Sequence, residues 1–418
     1  MKQRPRSGAE TTATAQSPLA RPDRPAERSA PGAGAAGRRI EVLDILRGVA
    51  IIGTLGTNIW LFTHPLGPPS LFFRMPGADS AGGAVEVALR YLSNGKFLAL
   101  LTILFGVGLE LQYQSAKRRG RRWPGWYLWR AALLFVEGAL HFVLVFEFDA
   151  LIGYVFISLI VVYLVGRGER CVRAWIIAMG TLHLLLVAAL SYAMAATGTG
   201  SGSVGTMGKA DIYAVGGYGE QIALRLDRFL LYRLETFFVV PMGVVLFLIG
   251  SRLLRAGAFE QSERGARIRG RLMLIGLGVG APLNLLTAFG GPHWFVVDRY
   301  LLPPLVALGL LGLVTTLAHR MTGEHGVLRR GVTAVGRSAL SCYVFQNLVA
   351  AALCYGWGLG LATELGWARP WWPVLAWTAI VGSFMVLSTL WMRGFSRGPL
   401  ELVWNWAYVA PQRLGRAA

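Results

Sequence analysis

The chain has 418 residues, 54% of them hydrophobic and only 15% charged, with a mean hydropathy of +0.49. A soluble domain carries roughly 25% charged residues, so this composition excludes a soluble globular protein and points to an all-α polytopic membrane bundle. The net charge of +19 does not indicate a nucleic-acid partner: the basic residues fall in short loops between apolar runs, not on one continuous basic surface.

Residues 1–38 are Ala, Pro, Gly, Ser and Arg with almost no large apolar side chain. Such a stretch cannot bury a core and reads as a disordered basic tail. No apolar h-region precedes a cleavage site, so it is not a signal peptide. From 39 to 411 the chain reads as one transmembrane domain, whose C-terminal part is about 229–411, and 412–418 reads as a tail end.

Ten apolar runs approach the roughly 20 residues a helix needs to cross a bilayer. They lie near 43–62, 97–115, 125–146, 150–166, 174–196, 229–251, 272–289, 300–318, 338–361 and 371–392. The segment 83–94 reads as an interfacial helix before the second run. With the N-terminus inside, the inner loops hold 22 Lys and Arg and the outer segments 8. That bias places both termini in the cytoplasm. The outer loop Thr197–Asp227 opens with glycines and serines and reads by default as a flexible linker, with a lid as the alternative.

The first run, Arg39–His64 (RIEVLDILRGVAIIGTLGTNIWLFTH), carries Asp44 and Arg47 near its start, Asn58 near its end and His64 just beyond. Ionisable groups in hydrocarbon are costly, and a plain anchor would omit them. In the third run Arg130, Glu137 and His141 share one helix face, and Glu147 and Asp149 follow at the turn. Arg233, Glu235, Asp298 and Arg299 sit near outer ends, and Gln346 and Asn347 lie at mid-depth in the ninth run. Topology sorts these into an outward polar pocket with Asn58, His64, His141, Glu147 and Asp149, and an inner mouth with Asp44, Arg47, Arg130 and Arg337. Asp44 with Arg47, and Glu137 with Arg130 or His141, also read as structural ion pairs. His183 reads as a packing residue. Cys171, Cys342 and Cys354 form no metal or disulfide spacing, and no P-loop, G-x-S-x-G or H-E-x-x-H motif is present.

Six stretches in order resemble the YeiB family of bacterial membrane proteins. They are RIEVLDILRGVAIIGTLGTN (39–58), GKFLALLTILFGVGLE (95–110), LHFVLVFEFDALIGYVF (140–156), PMGVVLFLIGSRLLRAGAF (241–259), VGRSALSCYVFQNLV (335–349) and RGPLELVWNWAYVAP (397–411). Where that family has Gly-Asp-Ile-Leu, this chain reads Phe148-Asp149-Ala150-Leu151; the Asp is kept and the Gly is not. The first-run pattern Leu-Asp-x-x-Arg-Gly ending in Asn also resembles transmembrane acyltransferases such as heparan-α-glucosaminide N-acetyltransferase and the bacterial sugar O-acetylases. That resemblance implies an active-site Asn at Asn58 and a His at His64, with a shorter spacing here, or at His141.

The expectation is a transmembrane acyltransferase of the bacterial cytoplasmic membrane. Acetyl-CoA or another acyl-CoA would be held at its phosphates by Arg47, Arg130 and Arg337, with Asp44 beside them. His141 or His64 would be the base, Glu147 or Asp149 would orient it, and Asn58 would stabilise the oxyanion. The acceptor would be an envelope glycan or lipid, with no metal. The alternatives are a transporter or flippase of a polar solute and a non-catalytic membrane protein. Beyond the bilayer as partner, the sequence leaves the oligomeric state open, a homodimer included.

Overall fold

A computed structural model describes residues 31–70, 78–197, 211–321 and 326–417. Among the described residues there are helices and no strands. Eight helices are long and apolar enough to cross a bilayer: Glu41–Phe62, Ala81–Arg118, Tyr127–Leu144, Glu169–Ala196, Phe229–Ala256, Glu263–Phe289, Val297–Arg320 and Trp371–Trp391. Two shorter apolar helices, Leu151–Leu164 and Ala339–Cys354, complete the series. These helices overlap the ten runs in the sequence, eight of them long enough to cross, and the protein is a multi-pass membrane bundle.

The elements are α1 (Pro31–Phe62), α2 (Ala81–Ser93), α3 (Lys96–Arg118), α4 (Tyr127–Leu144), α5 (Leu151–Leu164) and α6 (Glu169–Thr197). Two short helices follow, α7 (Ile212–Val215) and α8 (Tyr218–Asp227), then α9 (Phe229–Ala256), α10 (Glu263–Met273) and α11 (Ala281–Phe289). The last are α12 (Leu302–Arg320), α13 (Val327–Arg337), α14 (Ala339–Cys354), α15 (Trp371–Trp391) and α16 (Pro399–Ala417). Below, the near end of the bundle is where α1 enters it, at Glu41, and the far end is where it leaves, at Phe62.

Three expectations change. Helix begins at Pro31, inside the stretch 1–38 expected to lack structure, while 1–30 lies outside the described residues. The loop after α6 is not a linker throughout: 198–210 lies outside the described residues, but 211–227 folds into α7 and α8 and packs on the far end. The helix α16 runs on to Ala417, past the expected boundary at 411.

α1 is the most enclosed span, with 67% of its hydrophobic window buried, against 11% for Glu169–Ala196. It packs on α3, α13, α14 and α15. Glycine allows the closest of these approaches: a Cβ at Gly48 would lie 2.1 Å from the Val332 carbonyl oxygen, and one at Gly336 1.8 Å from that of Asp44. Small residues let helix backbones touch where lipid supplies no hydrophobic drive. Between α2 and α3, Gly95 takes a left-handed conformation (φ +68°). That turn makes α2 a separate helix, which packs against α1 and α11 at the far end.

π-helical turns at Leu274–Gly280 and Val297–Leu301 lead into α11 and α12. The second turn displays Asp298 and Arg299. At the near end α16 lies across α4 and α14. Glu401 there accepts from the backbone N–H of Leu340 (2.8 Å) and from the Ser341 hydroxyl (2.5 Å), satisfying donors that the first turn of α14 would otherwise leave open.

Candidate functional site

The polar residues of the far half meet in a hydrogen-bonded line. Asn58 of α1 donates from Nδ2 to Asn347 Oδ1 on α14 (3.3 Å). Asn347 Nδ2 lies 3.3 Å from His141 Nε2 on α4. His141 Nδ1 lies 3.1 Å from Asp149 Oδ1, at ion-pair distance but off the line of a hydrogen bond, and neither atom has another hydrogen-bond partner. Asp149 Oδ2 accepts from the Ile152 backbone N–H (3.1 Å), which fixes the carboxylate at the start of α5. The His141 ring stacks on Tyr343 with centroids 4.9 Å apart. Asn347 and His141 are buried, so each polar atom depends on these partners.

The line ends on a cavity of about 140 Å³ enclosed by α1, α3, α5, α9, α12 and α14. Asn58, Asp149 and Tyr343 form part of its wall, and Glu235, Arg299 and Tyr300 form another part. His141 stands one residue behind the wall. Glu235 accepts from the Tyr300 hydroxyl (2.7 Å) and from Arg299 Nη2 (3.2 Å). A second cavity of about 90 Å³ lies towards α2 and α11, with Trp60, Arg90, Asn94 and Asp298 in its lining. The two cavities share Thr57 and Arg299.

The candidate residues are distributed as follows. Asn58, His141 and Asp149 come together. His64 does not join them: its Nδ1 accepts from the Leu66 backbone N–H (3.1 Å), within its own turn. Glu147 belongs to a different cluster. Its Oε1 accepts from Arg225 Nε (2.7 Å) and the Tyr213 hydroxyl (2.6 Å), while Arg233 Nη2 reaches its backbone carbonyl (2.5 Å). Thus Glu147 fastens the α7–α8 cap and does not contact the imidazole. Burial, reinforced by the Glu147 charge, holds the Tyr213 phenol well above its ordinary pKa. Burial alone would lower that of Arg225, but Glu147 beside it raises it.

At the near end Arg47 bonds Asp44 (3.0 Å). Arg130 bonds Gln112 (3.1 Å) and lies over the Trp404 ring (4.8 Å), and Arg337 bonds the Ser396 carbonyl (3.1 Å). Arg47 is within electrostatic reach of Arg130, and Arg337 of Asp44. Glu137 lies between the two ends, within reach of Arg130, Glu401 and Asp149, and its Oε1 has no hydrogen-bond partner. His183 packs against Phe238 and contacts the Tyr300 carbonyl (3.1 Å). No group of three or more His, Cys, Asp or Glu among the described residues is arranged to hold a metal.

Sequence reasoning did not place Asn347 and Tyr343 at this site, nor Arg225 and Tyr213 around Glu147. For Asn347 a signal existed, since it is an amide in an apolar run just as Asn58 is. Tyr343 carried none, because tyrosine is common in such runs.

Comparison with known proteins finds uncharacterised relatives. The chain is 26% identical over 389 residues to "Uncharacterized protein YxaH" of Bacillus subtilis (strain 168), an alignment covering 88% of this chain and 93% of that protein. It is 28% identical over 392 residues to "Uncharacterized protein YeiB" of Escherichia coli (strain K12), covering 87% and 94%. No solved structure matches. Residues 253–410 match the family described as "Protein of unknown function (DUF418)". With that match in its C-terminal part, the chain is similar to YeiB and YxaH along most of its length and resembles the DUF418 proteins.

Proposed function

We propose that this protein is a membrane acyltransferase, with its near end in the cytoplasm and its far end facing the cell envelope. The observation that carries the reading is the line Asp149–His141–Asn347–Asn58 ending on the central cavity. Asp149 Oδ1 faces Nδ1 of His141 at 3.1 Å, and Nε2 is the proton acceptor. A hydroxyl that displaces the Asn347 amide stands about 3 Å from Nε2, within the reach a general base requires. Its oxygen attacks the thioester carbonyl carbon, and its proton passes to His141. The C–S bond breaks, and the proton goes on to the departing thiolate. Asn58 Nδ2, on the cavity wall, donates to the carbonyl oxygen as it gains charge. Arg47, Arg130 and Arg337 at the cytoplasmic mouth suit the phosphates of acyl-CoA, and the acceptor is an envelope glycan or lipid.

The test uses the full chain purified in detergent and labelled acyl-CoA of several chain lengths, following thioester loss. His141→Ala, Asp149→Asn and Asn58→Ala are compared with wild type. Loss of turnover in all three with the fold intact supports the reading, and no CoA-dependent signal from folded wild type removes it.

One observation favours a second reading, transport of a polar solute: the two cavities stand in series and share Arg299. Uptake by reconstituted vesicles that ignores acyl-CoA and fails in Arg299→Ala would support it.

A further inference from the structure

The central cavity is amphipathic along its length. On α9 the lining begins at the far end with Glu235 and proceeds inward to Met242 and Leu246. On α5 it passes from Asp149 at the helix start to Ile157 two turns on. In the segment 297–304 it passes from Arg299 to Pro304. On these three elements the charged groups stand at one end and mostly apolar side chains below them, with Thr236 and the mutually bonded Thr102 and Tyr154 hydroxyls (3.0 Å) set among them. A fully polar solute would lie against mostly apolar side chains there, whereas an amphipathic one matches both ends.

Size narrows the occupant. A dry cavity of about 150 Å³ holds benzene, roughly six carbons. The 140 Å³ here is larger than a two-carbon acetyl group requires and close to that six-carbon size. We infer that the cavity is a binding site for a short acyl chain of about six carbons, its carbonyl oxygen at the Asn58 amide and its tail between Ile157 and Met242. The binding site stands on the cavity alone; that the chain is then transferred rests on the acyl-transfer reading above.

Gly153 gives the means to close it. It lines the cavity, and a Cβ there would meet only a Thr236 methyl, at 3.4 Å. Gly153→Leu therefore fills the floor from α5, and Met242→Trp fills it independently from α9. The probe is hexanamide bearing a terminal diazirine, irradiated with the full-length purified protein and mapped by mass spectrometry. Labelling is expected within 153–157 and 239–246. Excess hexanamide should compete and acetamide should not, and each folded filling variant should lose at least ten-fold of the label. Labelling elsewhere, labelling that hexanamide does not compete, or full labelling of both folded variants overturns the site. The thioester assay separates the two claims. Cavity labelling without thioester cleavage leaves the site and removes acyl transfer. Acetyl-CoA cleavage without cavity labelling does the reverse.

Discussion

Replacing Arg225 by methionine tests whether Glu147 fastens the far-end cap. The side chains of Arg225 and Glu147 are 1% and 0% exposed. Methionine fills a similar length and removes the charge. It leaves the Glu147 carboxylate with the Tyr213 hydroxyl alone, and it takes the donor from the Val143 carbonyl, now bonded by Arg225 Nη1 at 3.0 Å. Breaking one side of a buried ion pair costs about 3–5 kcal/mol, because the remaining charge stays buried. Glu147→Gln alone should cost a comparable amount. The double variant removes both charges, so it should fall short of the sum of the singles by about 2 kcal/mol or more. Equilibrium unfolding of the purified proteins in mixed micelles, followed by circular dichroism, measures all three. Additive losses, or a single-variant loss below about 1 kcal/mol as for an exposed pair, would refute the reasoning.

Three further outcomes follow from the same geometry. Gly336→Ala forces α1 and α13 apart, because its Cβ would overlap the Asp44 carbonyl; a loss of about 1–3 kcal/mol is expected, read from the same unfolding curves. Glu401→Ala removes the acceptor at the start of α14 and should cost about 0.5–2 kcal/mol, with faster amide exchange confined to residues 340–343. In the acyl-CoA assay His141→Ala should lower turnover about 10²–10⁴-fold and His64→Ala should leave it unchanged; the reverse order would move the base to the α1 turn.

The spans were legible because hydrophobic length is a local property, and even the break at Gly95 was foreshadowed by the separate reading of 83–94. The site was legible only in part. Asn58, His141 and Asp149 stand out as polar groups in apolar surroundings, which the sequence displays. The choice between His64 and His141 was not, since both lie near the far end and only the position of α14 decides which one reaches Asn58. Glu147 and Asp149 are two residues apart and look interchangeable in sequence. The turn between α4 and α5 sends one to the cap and the other to the imidazole. Arg225 lay in a segment whose glycine-rich opening hid the two helices after it.

The arrangement around α1 has a bearing on how the protein is made. A chain is synthesised from its N-terminus, so of the described spans α1 is made first. Its companions α13, α14 and α15 are encoded in the last third. Until residue 347 leaves the ribosome, Asn58 has no amide to donate to. Until Val332 and Gly336 arrive, the stretch of α1 from Asp44 to Gly48 has no α13 to close against. The first span therefore waits in lipid through most of translation, held by α3. A ribosome that stops before residue 327 releases a product in which all the earlier spans exist and the central helix is unfinished on one side. Quality-control proteases that survey polar faces within the bilayer would find such fragments by that exposed side, and full-length chains would escape them.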